Sequence, residues 1–222
     1  MVKARSIDVG NDDPNQDAGL TLVELLVSMA VFAIFITILL SSILGITRAS
    51  TQAQVISRAA SGALIVFQNF DREIRYADAI NYPGSTASGR RYVEFRTPAS
   101  SSIDNVTTCN QWRFSSGTGL LESRKWVDTI VPTPTPTPWV TRLSVVFDDG
   151  ANYPFTVQAA GVGSAMQQLT LSIDAGNAVQ RGSAIKTNFV ARNSGIGSDS
   201  NANVLSAGAS GARVCTTADR PQ

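Results

Sequence analysis

The chain has no histidine in its 222 residues, which removes the commonest general base, the commonest metal ligand and every Ser–His or Cys–His nucleophile pair. Most hydrolytic mechanisms go with it. Among the side chains that could still do chemistry, Glu24 stands out as the one charge between Asp17 and Arg48, at the head of a run otherwise fit for lipid. Cys109 and Cys215 are the only thiols, far apart and outside any C-x-x-C pattern for zinc or dithiol exchange. In an exported chain they either form one disulfide that staples a Gly/Ser/Ala-rich tail or remain as two thiols. Closing a loop of about a hundred residues would contribute around 4 kcal/mol in the chain-entropy model.

"DDGAN", Asp148–Asn152, opens like a calcium loop, but the EF-hand spacing needs a glutamate where Ala159 stands. An Asp-Gly hairpin turn before "YPF" is the better reading. "GSDSNAN" is likewise read as a polar loop, so no metal site is assigned. Scattered Asp and Glu offer no convergent pair for acid–base catalysis, so no catalytic residue or cofactor site is assigned either. The formal charge of +1 is too small to imply a polyanionic partner. Arg90 with Arg91 and Arg124 with Lys125 are the only basic pairs that invite phosphate, and such pairs are ordinarily solvated faces. Nucleic acid is therefore not expected as a partner.

The elements that must position Glu24 follow from the run itself. From Leu25 to Thr47 there is neither charge nor proline, and these 23 positions cover roughly 35 Å as a helix, enough to cross a bilayer. A cleaved secretory signal has a shorter apolar stretch and a small-x-small site, whereas this run ends in "SSILGITRAS". Beyond Arg48 the pattern becomes amphipathic: Ile56, Ala60, Ala63, Phe67, Phe70, Ile74 and Ala77 alternate at four and three residues. Asp71 and Arg75 form an i,i+4 pair on the polar face. "NYPG", Asn81–Gly84, stops the helix, which should run from about Leu20 to about Asp78.

After Gly84 short alternating segments separated by Gly, Ser, Asn and Pro predict an antiparallel sheet. The expected strands are Tyr92–Arg96, Gln111–Phe114, Leu120–Trp126, Thr141–Phe147, Phe155–Gln158, Leu169–Ile173 and Ile185–Ala191. Tyr92, Phe95, Trp112, Phe114, Trp126, Trp139, Phe147, Phe155 and Phe189 are expected to fill the space between sheet and helix. "VPTPTPTPW", Val131–Trp139, favours an extended polyproline path. It reads as a surface loop between strands, with a docking segment or a glycosylated strip as the sharper alternatives.

"G-LTLVELLVSMAVF" resembles the processing and anchor motif of type IV pilins and type II secretion pseudopilins. The resemblance implies cleavage of a leader after Gly19 by a prepilin peptidase on the cytoplasmic side, and N-methylation of the new terminus at Leu20. Leu20 replaces the family's usual phenylalanine, and the anchor lacks the helix-loosening proline of many major pilins. Glu24 falls on the family's glutamate position. An ionised carboxylate in hydrocarbon needs a partner, and cutting before Leu20 creates one, because a neighbouring subunit's new α-amine could be neutralised by Glu24 and so set register between subunits. The plainer alternative is a glutamate solvated by headgroups at a helix N-terminus.

"FQNFDREIRYADAI" and "KTNFVARNS" are similar to minor pilins and pseudopilins of the J (PilW-like) type. The implied fold is α+β and pilin-like, a long N-terminal helix with a membrane-spanning first half packed on an antiparallel β-sheet. The implied organisation is leader 1–19, transmembrane or fibre-core helix 20–47, amphipathic helix 48–80 and a β-rich head with C-terminal tail at 81–222. The implied function is that of a non-enzymatic fibre subunit in a single-pass cytoplasmic (inner) membrane, head outside the cytoplasm, serving pilus display, secretion or DNA uptake and priming assembly at the tip. Its partners would be the peptidase, other major and minor pilins or pseudopilins, a membrane assembly platform and the lipid bilayer. The rival is a membrane-tethered or secreted extracellular binding domain or enzyme.

Overall fold

The structure is a computed structural model that describes residues 21–150, 152–177, 180–201, 204–205, 209–210 and 214–215. One helix, α1 (Leu22–Ile74), is followed by β1 (Ala79–Ile80), β2 (Gly84–Ser85), β3 (Arg90–Thr97), β4 (Thr108–Ser115), β5 (Leu120–Val127) and β6 (Val140–Leu143). The remaining strands are β7 (Phe155–Gln158), β8 (Gln168–Gly176), β9 (Arg181–Val190), β10 (Val204–Leu205) and β11 (Ala209–Ser210). The chain falls into two compact units that part inside α1, the first ending at Ala49 and the second beginning at Ser50.

The first unit holds the apolar half of the helix, which is long and apolar enough to cross a membrane. Its Leu, Ile, Val and Phe side chains are exposed all round, Leu22, Phe32 and Phe35 among them. A helix with no polar face is at home in lipid or packed against other helices.

In the second unit the rest of α1 buries Ala59, Ala63, Val66, Phe67, Phe70 and Ile74. The stripe differs from the expected one at its start: Ile56 is exposed and Ala60 half-buried, while Ala59 and Val66 are inside. The helix also stops at Ile74, not near Asp78. The carbonyls of the turn just beyond it are taken by distant donors, Arg192 N–H to Arg75 O at 3.1 Å and Asn193 Nδ2 to Tyr76 O at 3.0 Å. Ala79 and Ile80 then pair with Arg96 and Phe95. Tertiary hydrogen bonds thus end the helix before the proline signal acts.

The strands are antiparallel, but they make two principal sheets where a single one was expected. The first has the order β1-β3-β4-β5-β6, with β2 also on β3; the second has the order β7-β8-β9. The expected strand Thr141–Phe147 is the point of division. β6 ends at Leu143, Val145 takes a left-handed φ of 57°, and Val146 pairs with Ala175 of β8. For the same reason the Asp-Gly turn is no hairpin between paired strands: Asp148–Gly150 lies in the crossover from one sheet to the other.

Phe70 sits where the layers meet. Its ring contacts Phe95 and Trp112 of the first sheet and Phe155 and Phe189 of the second, with centroids 4.8–6.3 Å apart. Val93, Phe114, Leu121, Leu169, Leu171 and Ile173 complete this core. Four of the nine aromatic groups expected in it are elsewhere, and three of these, Tyr92, Trp139 and Phe147, are only half-buried. Tyr92 lies on the opposite face of β3 from Val93 and Phe95, as strand alternation demands, with its ring over Gly84, where a Cβ would come within 2.6 Å of it. Trp126 belongs to a second, smaller cluster with Ala79, Cys109, Val214 and Cys215.

Candidate assembly site

The start of α1 is built by Thr21. Its Oγ1 accepts the Glu24 N–H at 3.3 Å and its carbonyl accepts the Leu25 N–H at 3.1 Å. The Thr-x-x-Glu spacing is that of a capping box, of which the described contacts include the Thr21 half; Thr21 had no place in the sequence reading. Capping leaves Glu24 in the first helical turn, exposed, where the helix dipole favours a carboxylate. Among the described residues no basic group is paired with it.

The polar side chains that follow turn their donors inward. Ser28 Oγ donates to Glu24 O at 2.7 Å, and Thr37, Ser41, Ser42 and Thr47 each donate to the carbonyl four residues back at 2.7–3.0 Å. Each hydroxyl is therefore satisfied within the helix, which is what hydrocarbon surroundings require. The carboxylate of Glu24 is left as the one group in this stretch with an unmet electrostatic demand.

Residues 14–40 match the family model of the prokaryotic N-terminal methylation motif. The match covers 27 of the 222 residues. It encloses Gly19 and Leu20, the expected cleavage and methylation positions, both outside the described residues. It also encloses Glu24 and the first turns of α1. No curated protein matches the chain, and no solved structure matches it. The prepilin-type motif at the head of an apolar helix supports membership among type IV pilins and pseudopilins. The motif implies processing by a prepilin peptidase, and α1 is long and apolar enough for a single membrane pass.

The head carries further charged groups, mostly committed to one another. Arg91 grips Asp148 with two nitrogens at 2.6 and 2.7 Å and donates to Tyr153 O at 2.8 Å. That pairing holds the Asp148 carboxyl below its usual range. Burial pushes the Tyr153 phenol well above its own, while its oxygen accepts the Asp174 N–H. Arg96 pairs with Asp78 and Asp199 at 2.9 and 3.2 Å, and Arg113 with Glu122 at 2.8 Å. Asp71 and Arg75 form the expected helical pair. Asp148, Asp149 and Asp199, the acids of the two polar loops, thus each face an arginine, Asp149 through Arg181 at 2.9 Å.

The basic pairs do not make a common patch. Arg90 and Arg124 lie on one face of the first sheet and Arg91 and Lys125 on the other, since neighbours along a strand alternate. Arg124 donates to Gln111 Oε1 at 2.6 Å and stacks on Trp139, whose ring it shares with Arg113 at centroid distances of 4.4 and 3.9 Å. This contact with Trp139 had no signal in the sequence, because it depends on strand register. Cys109 and Cys215 are joined as a disulfide, which ties residue 215 to β4.

Proposed function

We propose that the chain is a minor pilin or pseudopilin that is cut after Gly19, methylated at Leu20 and drawn from the cytoplasmic membrane into a fibre through its N-terminal helix. Residues 20–47 would form the membrane and fibre-core segment, 48–80 would lead into the head, and 81–222 would stand outside the cytoplasm. The reading is carried by a prepilin-type motif at residues 14–40 that delivers a lone carboxylate, Glu24, to the first turn of a helix whose next 23 residues carry no charge. Cleavage before Leu20 leaves an ammonium group on each subunit. Pairing it with Glu24 of a neighbour in a low-dielectric bundle would remove two unfavourable isolated charges and fix the axial register of the subunits.

The resemblance of residues 67–80 and 186–194 to the J (PilW-like) type adds a place near the fibre tip, where the subunit would prime assembly. Sequencing the amino terminus of the mature protein in cells with and without the prepilin peptidase tests the proposal. It predicts an N-methylated chain starting at Leu20 in the first case, and a chain retaining residues 1–19 and absent from fibres in the second. Fibres that incorporate the uncut chain normally, or a mature protein that starts beyond Leu40, would overturn it.

A further inference from the structure

The segment Val131–Trp139 enters none of the roles above, and its conformation separates its residues into two sets. Pro134 is buried, while Thr133, Thr135 and Thr137 are exposed. The strap is held at both ends. Thr129 Oγ1 donates to Pro132 O at 2.8 Å near its start. At its far end Thr137 N–H donates to Lys125 O at 2.9 Å, Lys125 N–H donates to Thr137 Oγ1 at 3.1 Å, and the Trp139 ring lies against the guanidinium groups of Arg113 and Arg124. The chain between these anchors carries two exposed hydroxyls, those of Thr133 and Thr135, with no hydrogen bond among the described residues. Immediately before them Ile130 and Val131 are 84% and 86% exposed, an apolar pair without cover.

We propose that Thr133 and Thr135 are acceptors of O-linked sugar. Alternating threonine and proline in an extended path is the composition of O-glycosylated stalks, and here the prolines also fix the backbone so that ordering it costs little entropy. A transferase would find the two hydroxyls exposed and free of competing bonds. In each transfer the threonine Oγ1 attacks the anomeric carbon of a sugar activated as a glycosyl diphosphate. The new C–O bond forms as the bond to phosphate breaks, the diphosphate leaves with the electron pair, and the hydroxyl proton passes to a base of the transferase. The attached sugar would hydrate the surface beside Ile130 and Val131. Thr137 sits in the same Thr-Pro dipeptide and is equally exposed, but its oxygen accepts the Lys125 N–H, so a sugar there would displace an anchor of the strap. It stays unmodified.

The test is mass spectrometry of the tryptic peptide Trp126–Arg142 from protein purified from the cells that make it. The expected result is a mass excess of whole hexose or N-acetylhexosamine residues, assigned by electron-transfer fragmentation to Thr133 and Thr135. The Thr133→Val/Thr135→Val double variant should give the peptide at its sequence mass, and Thr137→Val should leave the sugar in place. An unmodified native peptide, phosphate increments, or sugar on Thr129, Thr137 or Thr141 instead would overturn the proposal. The peptide lies far from residue 20, so the outcome is independent of how the amino terminus is processed.

Discussion

The indole Nε1–H of Trp112 donates to the Glu73 carboxylate at 2.8 Å, joining the last turn of the helix to the middle of the first sheet. Burial raises the Glu73 pKa above its ordinary value, against the opposing pull of the Trp112 hydrogen bond and of Arg142, Arg72 and Lys125. A folded-state pKa above the unfolded one means that this group's stabilising contribution is complete below the ordinary carboxylate range and is lost as the pH rises through the raised value. Glu73→Gln keeps an oxygen for the indole and removes the charge. Thermal unfolding of the full chain in detergent should show the variant more stable at pH 7, by on the order of 1 kcal/mol or about 2–4 °C. The difference should close towards pH 4; an equal gap at both pH values would contradict the assignment.

Asp148 carries the opposite sign. Arg91 lowers its pKa, so its contribution is present above the ordinary carboxylate range and is lost as the pH falls through the depressed value. Asp148→Asn should cost ~1 kcal/mol at neutral pH, as befits a half-exposed bidentate pair. Unfolding curves of variant and parent should converge in acid.

Phe70 is fully buried against rings from both sheets. Phe70→Ala removes the group on which the helix and the two sheets converge, at a cost of about 3–5 kcal/mol. The expected outcome is a large fall in the denaturant midpoint, or a head that proteases degrade. Ile56→Ala, on the exposed side of the same helix, should have a small effect.

The Cys109–Cys215 bond closes a loop across 106 residues. Replacing both cysteines by serine should lower stability by about 4–5 kcal/mol if the chain-entropy model holds, and alkylation without prior reduction should label neither residue in the native protein. Labelling of both would mean that the thiols are unjoined in the cell.

Glu24→Ala should leave membrane insertion intact and abolish incorporation into fibres, as scored by the ratio of membrane-bound to fibre-borne protein. Glu24→Gln, which keeps the shape and loses the charge, should fail in the same way if neutralisation of a neighbouring amine is the requirement. Normal incorporation of Glu24→Gln would assign the position to packing instead.

The sequence by itself determined whatever depends on local pattern. The uninterrupted apolar run from Leu25 to Thr47 specified a membrane-compatible helix because helical rise and bilayer thickness leave little choice. The residues around Gly19 and Glu24 carried a resemblance to the prepilin motif, and residues 14–40 match the N-terminal methylation model. Alternation located Phe155–Gln158 to the residue, and Leu120–Trp126 to within one. Tertiary structure decided whatever depends on residues far apart in the chain meeting. Helix α1 ends at Ile74 because donors from Arg192 and Asn193 arrive there. The strands divide into two sheets because Val146 leaves β6 to pair with Ala175. Trp139, an apparent core residue, lies against two arginines because strand register brings Arg113 and Arg124 to the same face. Periodicity reports which face of an element is apolar, but the energy that chooses a partner for that face comes from contacts that a one-dimensional pattern does not contain.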